Sequence, residues 1–464
     1  MKSSLRGMGL TIGAGLMLCF LGWQLAAAAD VAVTLPPGTV VPEAAQPGTG
    51  FDAEKATAAY LALLTPEQRA RSDSYFEGGY WLQLWNWLAG VAAALLIVVT
   101  GWAVRIRDWA ARRVSRSWPQ RFLFAAAFLV LLWALTLPLA IYQDFIREHQ
   151  YGSSNLTFGG WFIESLKGLA LIVLLGGMFI ATLYSLVSRT RSAWWAWAGG
   201  FLFLFLLFLF TITPVFINPV FNDYKPLPRG ETRDAIESLA RANQVPVQHI
   251  TWYDASKQTK RLSAHVAGMF GTTQIGLNDN LLEKTSLPEI EAVMAHEMGH
   301  YVLNHPLRHA VYLALLYSFG FFVLDRALSA VLARWGERWR IRDRTDPATL
   351  PLVFAIFSTY LLLVSPLQNR IIYAGEVEAD LYGLNAAREP HGFATVAMRL
   401  ATYRKVDPGP VEKWLFYDHP SGRDRVEMSM QWLKENQALF TEHAAPAAST
   451  PSATEVEAGC PPAT

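Results

Sequence analysis

The 464-residue sequence has few cysteines and few charged residues, and both shortages exclude classes of protein. Its two cysteines, Cys19 and Cys460, lie near opposite ends of the chain, too few and too peripheral for a disulfide framework or a thiolate metal site. Charged side chains make up only 17%, and a net charge of +1 gives no electrostatic reason to expect a nucleic-acid partner. A water-soluble globule is excluded because hydrophobic residues reach 52% and the mean hydropathy is +0.21.

Long apolar runs are what the sequence has in abundance. Six of them can cross the ~30 Å hydrocarbon layer as helices, near residues 83–104, 122–143, 166–188, 194–217, 308–332 and 348–368. A further run within 1–29, with Lys2 and Arg6 at its start, predicts either a signal peptide with an Ala-x-Ala cleavage site or a first transmembrane helix. The expected fold is mainly α, a polytopic membrane helix bundle of six or seven spans.

The segments around the spans complete the predicted domain organisation. Four transmembrane helices lie within 83–217 and two within 308–368, whereas 30–82 is an exported linker with a short helix. Residues 218–307 form a small α+β insert, because a charged helix and short alternating stretches replace the apolar runs. The last span is followed by a helical C-terminal part over 369–440 and a disordered tail over 441–464.

Arginines are concentrated in three of the loops that join the spans, at 105–121, 189–191 and 334–344. The positive-inside rule predicts that these loops are cytoplasmic. Alternation of the spans then places the insert and the C-terminal part on the exported face. We expect a bacterial inner-membrane protein whose soluble parts lie on the periplasmic side.

The strongest chemical signal is a His-Glu-x-x-His motif formed by His296, Glu297 and His300. Histidines four residues apart share one helix face and can bind a single zinc ion, while Glu297 can take a proton from a water that the metal activates. Roughly 0.01 chance matches are expected in a chain of this composition. The competing interpretation, two hydrogen-bonded histidines without a metal, leaves Glu297 in need of another partner.

A third ligand is expected from the carboxylates Glu376, Glu378 and Asp380, which directly follow the last predicted span. Glu376 and Asp380 are one helical turn apart, so one can bind the metal while the other accepts a hydrogen bond from a ligand histidine. Spacing alone does not choose between Glu376 and Glu378. A solvated acidic helix face without any metal is the remaining alternative.

The motif ensemble resembles the type I CAAX prenyl endopeptidases, integral-membrane zinc metalloproteases, and their bacterial relatives. The similarity covers roughly residues 57–430. Two motifs carry most of it: the stretch from Val293 to His300 and, two spans later, Glu376-x-x-Ala379-Asp380. It implies one Zn²⁺ per chain with His296, His300 and Glu376 as ligands, Glu297 as general base and Asp380 as a carboxylate behind the ligands.

Two further elements of the resemblance concern the substrate. His419, followed by Pro420, and Arg425 match a late His-Pro…Arg element, which implies that both act in the active site on the scissile carbonyl or in holding the substrate. Where the family commonly has Asn-Ala on the edge strand that pairs with substrate, this chain has Val266 and Ala267. Main-chain pairing can survive this change, whereas any contact from the asparagine side chain is lost.

The predicted function is therefore a zinc metalloendopeptidase embedded in the lipid bilayer, with insert and C-terminal helices enclosing the active site. Its substrates are proteins or peptides, lipidated or membrane-embedded ones among them, and no nucleic-acid partner is expected. The alternative is a membrane chaperone or scaffold with a non-catalytic zinc site. It is less favoured because structural zinc is usually ligated fully by protein, which leaves Glu297 without a role.

Overall fold

The computed structural model of the chain describes residues 35–441 except 37 and 270. The segment 1–29, predicted to be a signal peptide or a first transmembrane helix, lies outside these residues. So does the predicted disordered tail over 441–464, apart from its first residue. Both of these expectations stay predictions.

Helices dominate the described part of the chain. In chain order they are α1 (Ala53–Leu61), α2 (Pro66–Val99), α3 (Trp102–Arg113), α4 (Ser117–Gln150), α5 (Phe158–Thr190), α6 (Trp194–Phe221), α7 (Glu231–Ala242), α8 (Asp279–Lys284), α9 (Leu287–Val302), α10 (His305–Trp339), α11 (Leu350–Ala387), α12 (Pro390–Leu400), α13 (Pro410–Phe416), α14 (Gly422–Glu435) and α15 (Ala438–Thr441). Within the described residues, six helices are long and apolar enough to cross a membrane, namely α2, α4, α5, α6, α10 and α11. The predicted helix bundle with six spans is confirmed.

The helices extend well beyond the apolar runs that predicted them. α10 has 35 residues, which corresponds to about 50 Å, whereas the hydrocarbon layer is about 30 Å thick. The predicted boundary at 82/83 falls inside α2, because Thr65 caps that helix in a capping box with Gln68. The boundary at 368/369 likewise falls inside α11, so the carboxylates after the last apolar run lie on the same helix as that run.

At its C-terminal end, however, α2 is shorter than the apolar run 83–104 that predicted it. α2 stops at Val99 and α3 begins at Trp102, with Gly101 between them at a φ of +76°. This left-handed backbone conformation favours glycine and interrupts the helix. The predicted span 83–104 therefore crosses a helix break.

The insert contains the predicted small sheet. Its four strands, β1 (Tyr224–Pro226), β2 (Ile250–Tyr253), β3 (Ala264–Ala267) and β4 (Gln274–Asn278), lie in the order β1-β2-β4-β3. β2 and β4 are parallel, whereas the outer strands are antiparallel to their neighbours. α7 and α9 pack against the sheet around Ile275, Leu277, Met294 and Met298, which are fully buried. This core holds α9 at one end of the bundle.

The three arginine-rich loops meet at the opposite end, which we call the arginine end. Arg107, which follows α2, donates to Asp346 with 2.6 Å between Nη1 and Oδ2. Asp325 near the end of α10 accepts from Arg344 at 3.0 Å and from the indole of Trp194 at 2.7 Å. These contacts join residues of the loops, or of the helix ends next to them, at one end of the bundle. Which side of the membrane this end faces stays a prediction.

At the other end, α9 and α11 approach closely at two glycines. A Cβ on Gly299 would lie 3.3 Å from the Cα of Ala379, and a Cβ on Gly383 would lie 3.0 Å from the backbone nitrogen of His296. Larger residues would push the helices apart. The close approach brings the carboxylates of α11 to the histidines of α9.

Candidate metal centre

Three side chains from two helices converge on one point. The Nε2 atoms of His296 and His300 on α9 are 3.1 Å apart. The Glu376 carboxylate on α11 lies 3.4 Å from each of them, through Oε2 to His296 and Oε1 to His300. In the described part of the chain, this is the group of histidines and acids whose ligand atoms are close enough to share a metal ion.

The spacing of these atoms fits a tetrahedral zinc ion. Zinc–nitrogen and zinc–oxygen bonds of about 2.0–2.1 Å place tetrahedral ligands about 3.3–3.4 Å from one another. The observed separations of 3.1 and 3.4 Å are close to that value. Two imidazoles and a carboxylate also make up a donor set typical of catalytic zinc, which keeps its fourth position open.

His296 is oriented from behind by Asp380. The Nδ1 atom of His296 lies 2.7 Å from Oδ1 of Asp380, a residue that is fully buried one turn beyond Glu376. A carboxylate this close to Nδ1 favours the tautomer in which Nδ1 carries the proton. The lone pair of Nε2 is then directed to the metal position.

His300 is oriented by a second chain of hydrogen bonds, which spacing did not predict. His305 Nε2 lies 3.0 Å from Oε2 of Glu378 and donates to it, which leaves His305 Nδ1 as an acceptor. The Nδ1 atom of His300 is 2.8 Å from that acceptor and therefore donates. The Nε2 lone pair of His300 thus also faces the metal position.

The structure separates the two glutamates that spacing left open. Glu376 is buried at the histidines, whereas the side chain of Glu378 is 42% exposed and binds Arg308 at 2.5 and 3.2 Å. The two residues lie two positions apart and therefore on different faces of α11. Only Glu376 reaches the point where the histidines converge.

Arg425 is a buried partner of both carboxylates rather than a solvated surface charge. Its Nε donates to Oδ2 of Asp380 at 2.9 Å, and its Nη2 donates to Oε2 of Glu376 at 3.3 Å. The capping box of Ser421 with Asp424 starts α14 immediately before it. Arg425 thereby holds two negative charges that would otherwise repel each other.

His419 lies at the edge of the same cluster. Its Nε2 is 3.3 Å from Oε1 of Glu376, and its Nδ1 is 2.7 Å from the carboxylate of Asp418. Asp418 thus orients the ring in the way that Asp380 orients His296. The side chain is 32% exposed, so His419 can meet both the cluster and an incoming ligand.

Glu297 faces a cavity of about 180 Å³ that is also lined by His296 and His419. Burial raises the pKa of its carboxyl above the usual value. Among the described residues, no side chain forms a hydrogen bond or ion pair with it. A carboxylate with a raised pKa and free oxygens is suited to proton transfer.

Val266 and Ala267 lie on β3, an edge strand of the sheet, but they do not line this cavity. Both pair with β4, opposite Ile275 and Gln274. The cavity wall is instead formed by Ala264 at the start of β3, together with the preceding Ser263 and Leu262. The outer edge of β3 has no neighbouring strand within the described part of the chain.

Two residues near the site were not found from the sequence. His305 follows His300 by five residues, a spacing that no helix face predicts, because α9 ends at Val302 and Asn304 has a left-handed φ of 54°. Arg404 lies in the turn after α12 and lines the cavity that Glu297 faces. Neither belongs to a local motif, so only the folded chain identifies them.

Comparison with known proteins identifies the family of the chain. Residues 53–223 match the family model "CAAX prenyl protease N-terminal, five membrane helices", and residues 226–432 match "Peptidase family M48". CAAX prenyl protease 1 of Saccharomyces cerevisiae is 34% identical over 319 residues, which cover 64% of this chain and 70% of that protein. The uncharacterized metalloprotease YhfN of Bacillus subtilis is 29% identical over 337 residues, which cover 72% and 78%.

The fold has a solved counterpart. The crystal structure of S. mikatae Ste24p superposes with a TM-score of 0.64 and 23% sequence identity, covering 79% of this chain and 89% of that one. The resemblance noted in the sequence is confirmed by these matches. The chain belongs to peptidase family M48, and it is a multi-pass membrane metalloprotease similar to the CAAX prenyl proteases.

Proposed function

We propose that this protein is a zinc endopeptidase with one zinc ion per chain, held by His296, His300 and Glu376. The convergence of three lone-pair donors, 3.1 to 3.4 Å apart, is the observation that supports it best. Without a cation, two imidazole nitrogens and a carboxylate at this distance would leave lone pairs facing one another. The groups behind the histidines add support. Asp380, 2.7 Å from Nδ1 of His296, and the hydrogen-bond chain from His300 to His305 each favour an Nε2 lone pair at the same point.

In the proposed reaction, Glu297 is the general base. When bound, zinc supplies Lewis acidity and makes water more acidic. Glu297 accepts the proton that water loses as its oxygen bonds to the peptide carbonyl carbon, and returns that proton to the nitrogen as the C–N bond breaks. One water is consumed for each peptide bond, and the carboxylate ends the cycle unchanged.

His419 and Arg425 have separate proposed roles. His419 Nε2 faces the cavity, and when both ring nitrogens carry protons, with Nδ1–H bound to Asp418, it can donate a hydrogen bond to the carbonyl oxygen as negative charge develops on it. Arg425 binds Glu376 and Asp380 and keeps both in position. Asp380 acts through His296, by fixing its tautomer.

The substrate is proposed to bind as an added strand along the open edge of β3. Backbone groups of Val266 and Ala267 would continue this pairing beyond the cavity wall at Ala264. The arginine end supports an orientation with the active site on the periplasmic side of a bacterial inner membrane. Proteins or peptides at the membrane, lipidated ones among them, are the proposed substrates.

The experiment incubates the purified protein with casein and with a farnesylated peptide, with and without a chelator. We expect chelator-sensitive cleavage by the wild type and none by Glu297→Gln, because the amide cannot accept the proton. Metal content should be unchanged in that variant. Glu291→Gln, on the same helix but outside the cavity wall, is the matched control and should cleave normally.

The outcomes also separate an enzyme from a membrane chaperone or scaffold. Cleavage by Glu297→Gln at the wild-type rate would remove Glu297 from the role of base. A metal-loaded wild type that cleaves neither substrate would favour the non-catalytic zinc site. Cleavage of the farnesylated peptide but not casein would assign the protein to lipidated substrates.

A further inference from the structure

A second cavity, of about 450 Å³, adjoins the catalytic one. The two share Tyr403, Arg404 and His419 in their walls. His419 also lies 3.3 Å from the carboxylate of Glu376, the proposed metal ligand. A bound peptide that leaves the catalytic cavity past His419 therefore enters the second cavity within a few residues. The second cavity is therefore placed to receive part of a substrate.

Four cations line the second cavity, and their partners differ. Lys405 binds Glu77 and Glu412 at 2.6 and 3.0 Å, and Arg261 binds Glu148 at 2.8 Å. Arg147 donates to the backbone oxygen of Tyr75 and lies over its ring, with 4.2 Å from Cζ to the ring centre. The fourth cation, Arg404, has no such partner.

The Nη1 atom of Arg404 is buried without a hydrogen-bond partner, and no carboxylate of the described residues forms an ion pair with the side chain. Asp418, the acid in the wall of this cavity, is bonded to His419 instead. Burial and the nearby charge of Arg425 lower the pKa of Arg404. A buried N–H group without an acceptor is unfavourable unless a ligand supplies one.

We propose that Arg404 binds a carboxylate of the substrate at the junction of the two cavities. A guanidinium binds a carboxylate through two parallel N–H bonds, and the unpaired Nη1 is free to make one of them. Arg261 adds positive charge nearby, since its guanidinium lies 5.4 Å from the centre of the Tyr403 ring and its Nε is also unpartnered. The inference rests on the proposed function, because it names what the same active site selects.

The carboxylate has two sources in a peptide, the C-terminus and an acidic side chain. Three versions of the farnesylated peptide distinguish them: a free C-terminal acid, its carboxamide, and a carboxamide with Glu as its last residue. Dissociation constants are measured on metal-loaded Glu297→Gln protein, so that binding is read without turnover. We expect the free acid or the Glu peptide to bind at least tenfold more tightly than the plain carboxamide.

Variants of Arg404 then assign the preference. Arg404→Gln should reduce the ratio of the affinities for carboxylate and carboxamide peptides to near one. Arg404→Lys should restore this ratio in part, because lysine keeps the charge but cannot form two parallel N–H bonds. Arg423→Gln, an exposed arginine paired with Asp407 and outside both cavities, should keep the full ratio. Metal content and thermal unfolding check that each variant is folded.

Equal affinity of the wild-type site for all three peptides would overturn the proposal. So would a preference that Arg404→Gln leaves intact in folded protein. Either result could occur while casein is still cleaved, so the proposed peptidase function would stand. Conversely, a protein that cleaves nothing but discriminates the peptides through Arg404 would retain this subsite and lose the peptidase assignment.

Discussion

The two ends of the membrane bundle both contain buried charged clusters, but their atoms are partnered differently. At the arginine end, Asp346 faces Arg107 at 2.6 Å and Asp325 faces Arg344 at 3.0 Å. Each of these two carboxylates faces a cation, and Arg107 also binds Asp108 at 2.9 Å. Such pairs are complete without any ligand and serve to join the loops.

At the opposite end, which we call the metal end because it contains the candidate metal centre, lone pairs from three side chains face one another. His296, His300 and Glu376 direct nitrogen and oxygen atoms at one point, while Asp380 and Arg425 are bonded to them from behind. The comparison teaches that burial and charge do not by themselves identify a functional site. The feature that distinguishes the candidate metal centre is the convergence of lone pairs from three side chains on one point.

Removing one carboxylate from each end gives the largest expected contrast. Glu376→Ala should lose the metal and fall below detectable peptidase activity, since two histidines alone bind zinc weakly. Asp346→Ala, at the arginine end, should keep about one metal per chain. Elemental analysis of both purified variants decides this, and metal retained in Glu376→Ala would erase the contrast.

A substitution at the arginine end should instead lower the stability of the folded protein. Arg107→Ala leaves Asp346 buried without its cation and should destabilise the protein by about 3–5 kcal/mol. Denaturation in detergent measures this, with Arg113→Ala as an exposed control from the same helix. An unchanged stability would show that the pair at the arginine end is not structurally important.

His305 tests whether the orienting chain at the metal end matters. His305→Ala removes the acceptor of His300 Nδ1–H and should weaken metal affinity about 10- to 100-fold. His305→Gln should restore much of it, because its amide can accept from His300 and donate to Glu378. His309→Ala, which loses a ring stacked on His305 but no bond to a ligand, should have little effect. Competition with a chelator measures these affinities.

The smallest expected effect concerns the close contact of α9 and α11. Gly383→Ala places a methyl group 3.0 Å from the nitrogen of His296 and should destabilise the protein by about 1–3 kcal/mol. Gly200→Ala, on α6 with no neighbour within 4 Å, is the matched control and should be neutral or slightly stabilising. Equal stability of the two variants would contradict the role given to the contact.

The features that could be predicted from the sequence are those that depend on residues close together in the chain. Six apolar runs predicted the six spans, and the motif at His296, Glu297 and His300 predicted a shared helix face, because both signals need only neighbouring residues. Helix ends were predicted poorly, since polar residues continued α2 and α11 beyond the apolar runs. Capping and the break at Gly101 set those ends.

The remaining features depend on tertiary contacts that a single sequence does not contain. Spacing could not choose Glu376 over Glu378, because the rotation of α11 against α9 decides which carboxylate faces the histidines. The roles of His305 and Arg404 emerge only when distant segments meet. The resemblance supplied Glu376, and the geometry now supplies a physical reason for it.

The central claim is tested most directly by measuring the metal content of the wild-type protein purified in mild detergent without chelator. The account predicts about one zinc per chain, which a chelator removes and added zinc restores together with casein cleavage. Fully folded protein that contains no transition metal and takes none up would contradict it.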